Sequence, residues 1–235
     1  MNKLISVILS TYNNESTIED AVDSILVQTY KNVELLVVDD CSTDRTSEIL
    51  QDRYSNTENI QLFKNPENIG LTKSLNFLIK QSKGDFIARQ DADDISLPER
   101  LETQINLFKN YDIDFCTARA LKHGTKNKIP GYSYFIPKKI SIKFKNPFIH
   151  GTLIIKKNVI EEIGNYDEKF YYSQDYKLFL DLIRRQYSYI DIPKPLYILN
   201  TKNNISTIYK KQQKYYANCA RNRIVPEYDK SQNIH

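Results

Sequence analysis

No stretch of the chain approaches the ~18 consecutive apolar residues of a membrane span, so its 235 residues are expected to fold in water. The N-terminus, Met1-Asn2-Lys3-Leu4-Ile5-Ser6-Val7-Ile8-Leu9-Ser10, is superficially like a signal peptide. Its apolar run is too short and no small-residue cleavage site follows, which favours a first strand. Cysteine is scarce. Cys41, Cys116 and Cys219 are too few and too scattered for a disulfide framework or a zinc site, and a reducing cytoplasm is the expected compartment. Acidic residues are missing between Asp114 and Glu161 and again between Asp191 and Glu227. Residues 1–114 hold 11 Lys+Arg against 20 Asp+Glu, a net −9, and residues 115–235 hold 22 against 9, a net +13. This asymmetry suits an anionic partner for the second half, such as an acidic membrane surface, a lipid pyrophosphate or nucleic acid. Lys-rich loops that merely solvate the surface are the alternative.

What is present is a globular composition, 40% apolar and 26% charged, in a chain long enough for one large domain or a domain with an extension. Leu4–Ser10, Val33–Val38, Ile60–Phe63 and Phe86–Ala88 read as strands. The first two are near-continuous apolar runs, the pattern of parallel strands buried on both faces. Helical spacing separates them. Ile18, Val22, Ile25 and Leu26 follow a capping-box sequence, Ser16-Thr17-Ile18-Glu19, and Ser42 or Thr43 is placed to cap a helix running to about Tyr54. Leu71, Leu75, Leu78 and Ile79 mark a third helix. Alternating strands and helices predict an α/β fold, a mostly parallel sheet with right-handed crossovers. Beyond Asp114 the pattern weakens. Phe115–Ala118 and Thr152–Ile155 are strand-like, and residues 122–147 read as a mobile or substrate-covering loop. A helix is expected over Gln174–Gln186, while the basic segment from Ile205 onward is expected to be peripheral.

Chemistry gathers at Gly84–Glu102. There a short apolar run ends in Asp91, Asp93 and Asp94, and Pro98 suits the first turn of a following helix. Ligands of open α/β sheets bind at the carboxyl ends of strands. Three neighbouring carboxylates repel one another unless a cation sits among them, and hard oxygen ligands suit Mg²⁺ or Mn²⁺. An acidic surface turn capping the next helix is the bland alternative.

Five motifs occur in order: Ile5-Ser6-Val7-Ile8-Leu9-Ser10-Thr11-Tyr12-Asn13, Val37-Val38-Asp39-Asp40-Cys41-Ser42-Thr43-Asp44, Asn68-Ile69-Gly70, Asp91-Ala92-Asp93-Asp94 and Tyr172-Ser173-Gln174-Asp175-Tyr176. Each alone is weak. Together, across roughly residues 3–200, the set resembles the family 2 glycosyltransferases, inverting sugar transferases of the Rossmann-like GT-A fold.

The resemblance implies a GT-A domain over residues 1–200. Residues 1–114 would form its nucleotide-sugar half, 115–200 its acceptor half, and 201–235 a basic extension. It implies nucleotide-sugar contacts from Thr11, Tyr12, Asn13 and Glu15, from Asp40, from Asn68, Gly70 and Lys73, and from Asp91 and Ala92. The Tyr12 ring would pack on the base and Asp40 would accept a base N–H. Asp91-Ala92-Asp93 matches the family's DxD motif, with Asp93 and Asp91 as ligands of Mn²⁺ or Mg²⁺, and Asp94 capping the next helix. Asp175 matches the catalytic base, and His150 falls where it would touch acceptor, diphosphate or metal. Structural roles stand beside each of these. Tyr12 would be ordinary packing, Asp39 and Asp40 helix caps, Lys73 a solvated charge, and Asp175 a stabiliser of its helix N-terminus.

The chain contains no Trp, so the Gln/Arg-x-x-Arg-Trp motif of processive synthases is absent and single addition is expected. Leu199-Asn200-Thr201-Lys202 also departs from the common Tyr-Arg-x-His pattern. The implied activity is transfer of a hexosyl or N-acetylhexosaminyl group, from a UDP-sugar or similar donor, to a glycan or lipid-linked acceptor in bacterial surface polysaccharide or lipopolysaccharide synthesis. Nucleic acid is not an expected partner. A peripheral, salt-sensitive contact with an anionic membrane is expected through residues 192–226, where seven Lys/Arg meet no acid. The rival readings are a catalytically silent nucleotide-sugar-binding partner and a nucleotidyltransferase. Ser10–Glu15 lacks the Gly-rich, basic phosphate loop that the second would carry.

Overall fold

A computed structural model describes residues 3–201 and 209–227. Its sheet is centred on β1 (Ile5–Thr11) and β2 (Val33–Asp39), both buried along their whole length. Alternate side chains go to opposite faces, as strand period dictates. Ile8, Leu36 and Val38 enter one core cluster, and Ile5, Val7, Leu9, Leu35 and Val37 enter the other. Helices cover both faces, so a continuous apolar run is what the position requires.

β1 pairs in parallel with β2 and β4 (Phe86–Arg89), and β2 with β3 (Ile60–Lys64). The helices α1 (Ile18–Leu26), α2 (Thr46–Tyr54) and α3 (Leu71–Gln81) make the crossovers. After β5 (Ile95–Ser96), α4 (Arg100–Asn110) leads to β6 (Phe115–Lys122) and β7 (Lys128–Ile129). A short α5 (Lys138–Ser141), then β8 (Ile154–Lys156), α6 (Lys157–Glu162), α7 (Gln174–Arg184), β9 (Tyr189–Leu199) and α8 (Lys210–Asn222) complete the described chain. The strand order is β3-β2-β1-β4-β8-β6-β9-β5, with β7 on β6. β8 runs antiparallel to both its neighbours, and β6 and β9 are parallel. The order reverses at β1, between β2 and β4, and sheets of this kind bind ligands at the carboxyl ends of the strands beside such a reversal.

Several local expectations are corrected. Thr17 occupies the N-cap position of α1, but its hydroxyl donates to Ala92 O at 3.0 Å instead of capping. Helix α2 starts at Thr46, whose N–H is held by Asp44 Oδ1 at 2.9 Å, not by Ser42 or Thr43. α4 starts two residues after Pro98. Residues 122–147 are not one irregular loop, since they complete β6, supply β7 and form α5. β9 was unforeseen because Pro193 and Pro195 argue against a strand. They fall where the β6–β9 register shifts, around Ala118, Arg119 and Ala120. The segment expected to be peripheral instead packs inward as α8. Tyr216, Cys219 and Ala220 are buried in the core, and Arg184 donates to Ala220 O and Arg221 O.

Candidate active site

The loops after β1 and β2 are stitched together by side chains. Asn13, in the left-handed region at φ 53°, accepts the Thr43 N–H at 2.8 Å and gives its own N–H to Ser42 Oγ at 2.9 Å. Glu15 N donates to Asp44 Oδ2, and Glu15 Oε2 accepts Arg45 N–H. Thr11 is buried and donates to Asn14 Oδ1 at 3.0 Å. Asn13 and Glu15 thus use part of their polar groups to hold the loop. Tyr12, 40% exposed, leaves its ring on the surface.

At the end of β2 the two aspartates differ. Asp40 accepts three donors of the following loop: Asn65 Nδ2 at 2.7 Å, Ile69 N at 3.0 Å and Gly70 N at 2.8 Å. Asp39 Oδ1 accepts Ser42 N, while its Oδ2 is buried without a hydrogen-bond partner, with Lys64 Nζ 3.8 Å away. A buried acceptor left open in this way suits a ligand N–H. Gly70, at φ 85°, lies where a Cβ would stand 2.8 Å from the Tyr171 ring, so both backbone and space demand glycine. Asn68 is exposed. Lys73 lines a polar groove of about 770 Å³ with Asn76, Lys80, Glu161, Tyr166 and Lys177, and neither Thr11 nor Asp91 lines it.

The carboxylates after β4 stand on two buried arginines that sequence reasoning missed. Arg89 Nη2 donates to Asp91 Oδ1 at 2.6 Å. Arg100 reaches Arg89 O and Ser96 Oγ, both at 2.6 Å, and lies over the Tyr197 ring. A lone Arg closing an apolar strand was the available signal. Tyr197 hydroxyl accepts the Asp91 N–H at 3.0 Å. Gly151 lets the loop close over both, because a Cβ there would be 2.5 Å from the Tyr197 hydroxyl and 2.7 Å from Asp91 Oδ2. Ala92 is buried beneath, its carbonyl engaged by Thr17. Asp93 is pushed up to about 6 by burial and by the charge of Asp91. Asp94 is buried, accepts Asn200 N at 2.7 Å and is pushed well up by burial, Asp91 and Asp93. It ties β9 to this turn and does not cap α4.

Among the described residues, no three His, Cys, Asp or Glu side chains converge as a metal cluster. With Asp91 partly committed to Arg89 and Asp94 turned to Asn200, the chain offers one or two carboxylates. Mg²⁺ or Mn²⁺ uses such a set when substrate phosphates and water complete its shell. The raised Asp93 marks like charge that a cation would relieve, so the residues fit the ion.

Asp175 is the second residue of α7, entered through Ser173 at φ 54°, and its Oδ2 accepts Asn146 Nδ2 at 2.7 Å. His150 Nε2 lies 2.6 Å from the Tyr166 hydroxyl. Burial holds His150 well below its ordinary value and Arg89 adds to this, while Asp91 and Asp175 oppose. The same two aspartates act on Tyr166. Both aspartates thus act on the His150–Tyr166 pair, and the segment that carries His150 touches both: Asn146 bonds Asp175, and Gly151 packs against Asp91.

Comparison with known proteins bears on this arrangement. The description "Glycosyl transferase family 2" matches residues 6–165. EpsE of Bacillus subtilis is 33% identical over 165 residues, covering 69% of this chain and 59% of that protein. An uncharacterized glycosyltransferase of Rickettsia typhi is 33% identical over 199 residues, covering 80% and 61%. The chain thus spans about three fifths of the length of these relatives. Among solved structures, S. aureus TarS 1-349 in complex with UDP-GlcNAc superposes with a TM-score of 0.74 at 22% identity, covering 88% of this chain and 61% of that one. The mannosyltransferase PcManGT from Pyrobaculum calidifontis, in complex with GDP-Man and Mn²⁺, gives 0.74 at 20% identity, covering 91% and 61%. At such identities the likeness is one of fold, and the fold is that of GT-A glycosyltransferases.

Proposed function

The chain belongs to glycosyl transferase family 2, a family of transferase enzymes, and we propose that it moves one sugar per turnover, with inversion, from a nucleotide-sugar to a hydroxyl acceptor. The observation that carries the reading is that one short segment meets both aspartates: Asn146 bonds Asp175 at 2.7 Å, and Gly151 lies where a Cβ would stand 2.7 Å from Asp91 Oδ2. Donor and base would then meet along that segment.

The donor lies over the carboxyl ends of β1, β2 and β4, its base against Thr11 and the exposed Tyr12 ring. Asp39 Oδ2, or the remaining acceptor capacity of Asp40, takes a base N–H. An unpaired donor there would cost about 1–3 kcal/mol. Asp93, with Asp91, would hold a Mn²⁺ or Mg²⁺ ion, which when bound offsets the charge of the diphosphate. Arg89 fixes the Asp91 carboxylate, and Tyr197 fixes its backbone. Asp175, oriented by Asn146, accepts the proton of the acceptor hydroxyl as that oxygen bonds to the anomeric carbon and the nucleoside diphosphate leaves. One displacement inverts the centre, so no protein nucleophile is needed.

UDP-sugars are the first donors to test, and a glycan or lipid-linked acceptor of surface polysaccharide synthesis at the cytoplasmic face of the membrane is the proposed context. A thermal-shift panel of nucleotide-sugars with Mn²⁺ tests the reading, since a ligand of the native state raises the melting temperature. The expected result is stabilisation by one nucleoside class. No shift with any nucleotide-sugar, with or without Mn²⁺, would overturn it.

A further inference from the structure

Residues 132–145 expose five large apolar side chains within fourteen positions: Tyr132 (96%), Phe135 (76%), Ile136 (47%), Ile140 (51%) and Phe144 (71%). Their spacing is helical. Tyr132, Phe135 and Ile136 lie at i, i+3 and i+4 across a 3₁₀ turn (Tyr132–Phe135). From Lys138 to Lys145 the backbone winds through α5 and a further turn. There Lys139, Ile140, Lys143 and Phe144 face out, while Lys138, Ser141 and Ile142 face in.

The inward face is fastened. Lys138 Nζ pairs with the buried Asp191 at 2.9 Å, and the Tyr134 hydroxyl donates to Asp191 O at 2.7 Å. Tyr176 hydroxyl donates to Ile142 O, and Arg221 Nη1 to Phe144 O at 2.7 Å. That last bond sets the end of α8 beside the segment, with Ile224 and Val225 also exposed. The apolar side chains are thus held outward by a built support.

We infer that this surface is a docking face for an anionic lipid bilayer. Three lysines, Lys139, Lys143 and Lys145, are exposed among the apolar groups, and no acidic residue occurs from 115 to 160 to oppose them. Aromatic and aliphatic side chains beside lysines suit a headgroup boundary, where rings enter the acyl edge and ammonium groups meet lipid phosphates. A second copy of the chain fits less well. An isologous contact would set these lysines against one another, and lysine is depleted from protein interfaces. The face also differs from the expected stretch 192–226, where Lys194 is paired with Glu99 at 3.1 Å and Lys202 lies outside the described residues. Two residues beyond Phe144, Asn146 holds Asp175, so a docked bilayer would lie near the proposed base, on the acceptor side. Only that last point rests on the proposed function.

The absence of Trp supplies the probe. Tyr132→Trp gives the full chain a single indole at its most exposed aromatic position. With vesicles of phosphatidylglycerol and phosphatidylcholine at low salt, its emission is expected to shift to the blue and the protein to sediment with them. Pure phosphatidylcholine should bind far more weakly, and added salt should release the protein. Adding Phe135→Ser and Phe144→Ser should weaken vesicle binding by about tenfold or more. The melting shift given by donor should persist, showing that the variant folds. The inference is overturned by no shift and no sedimentation at low salt, or by equal binding of the serine variant. It is also overturned if sedimentation velocity finds a dimer that the serine variant dissolves while vesicles are ignored. Vesicle binding by a chain that binds no nucleotide-sugar would instead sink the proposed function alone.

Discussion

Asn146 Nδ2 donates to Asp175 Oδ2 at 2.7 Å, binding the segment that ends at β8 to the first turn of α7. In the proposed mechanism this bond orients Asp175 and leaves its other carboxylate oxygen to take the acceptor's proton. Asp175→Asn is expected to keep donor affinity and lose about 10²–10⁴-fold in kcat. Asn146→Ala should cost less, roughly 10–100-fold, the worth of a hydrogen bond to a charged group. Steady-state rates, with donor affinity by calorimetry, check both. A parental kcat in Asn146→Ala would leave Asn146 merely structural.

Asp93 carries the ion-binding part of the reading. Asp93→Ala is expected to weaken Mn²⁺-dependent donor binding by at least about tenfold, while binding without Mn²⁺ stays near the parent's. Equal calorimetric affinity for parent and variant in both conditions would remove Asp93 from that role. Arg89→Met should weaken the same binding through Asp91, and also lower the melting temperature. It leaves a half-buried carboxylate without the cation 2.6 Å away.

The parts of this site that were legible in the sequence are those where one residue type in a local pattern carries the meaning. The apolar runs of β1 and β2 marked the strands buried on both faces, and Asp91 and Asp93 stood out as carboxylates after a short apolar run, whereas Asp175 was named only through the family's motif. What was hidden depends on partners far along the chain. Arg89 reads as a charge misplaced in an apolar strand until Asp91 folds back on it. Gly151 is an ordinary glycine until the Tyr197 hydroxyl arrives beside it. β9 is masked by two prolines whose missing N–H groups matter little at a register shift. Asp40, expected from the resemblance to meet the base, also accepts Asn65, Ile69 and Gly70, contacts no short motif encodes.

Cys41 lies one residue beyond Asp40, in the left-handed region at φ 63°, and is the only one of the three thiols not buried. Cys116 is fully buried and pushed up to about 12 by that burial, so its reactive thiolate is scarce at neutral pH. Iodoacetamide should therefore label Cys41 first in the folded protein, and donor with Mn²⁺ should slow that labelling if the base binds beside β2. Peptide mass spectrometry reads the site of modification. Labelling of Cys41 at the same rate with saturating donor would move the base elsewhere.

Asp114 gives a pH test of the fold that does not involve the candidate site. It joins the start of β6 to the start of β9 and to β8, accepting the Ser188 N–H and hydroxyl at 2.8 Å each and Lys156 Nζ at 3.2 Å. Burial raises its carboxyl, and the Ser188 and Lys156 bonds outweigh that, holding it below the ordinary carboxylate value. An acid whose pKa is lower folded than unfolded stabilises the native state at every pH above the unfolded value. It loses that contribution as pH falls toward and through the folded one. Urea midpoints should therefore drop on acidification below about pH 4. Asp114→Asn should lower the midpoint at neutral pH, by about 1 kcal/mol, and should flatten part of the acid slope. A variant with the parent's acid slope would show that the bonds to Ser188 and Lys156 contribute no charge-dependent stability.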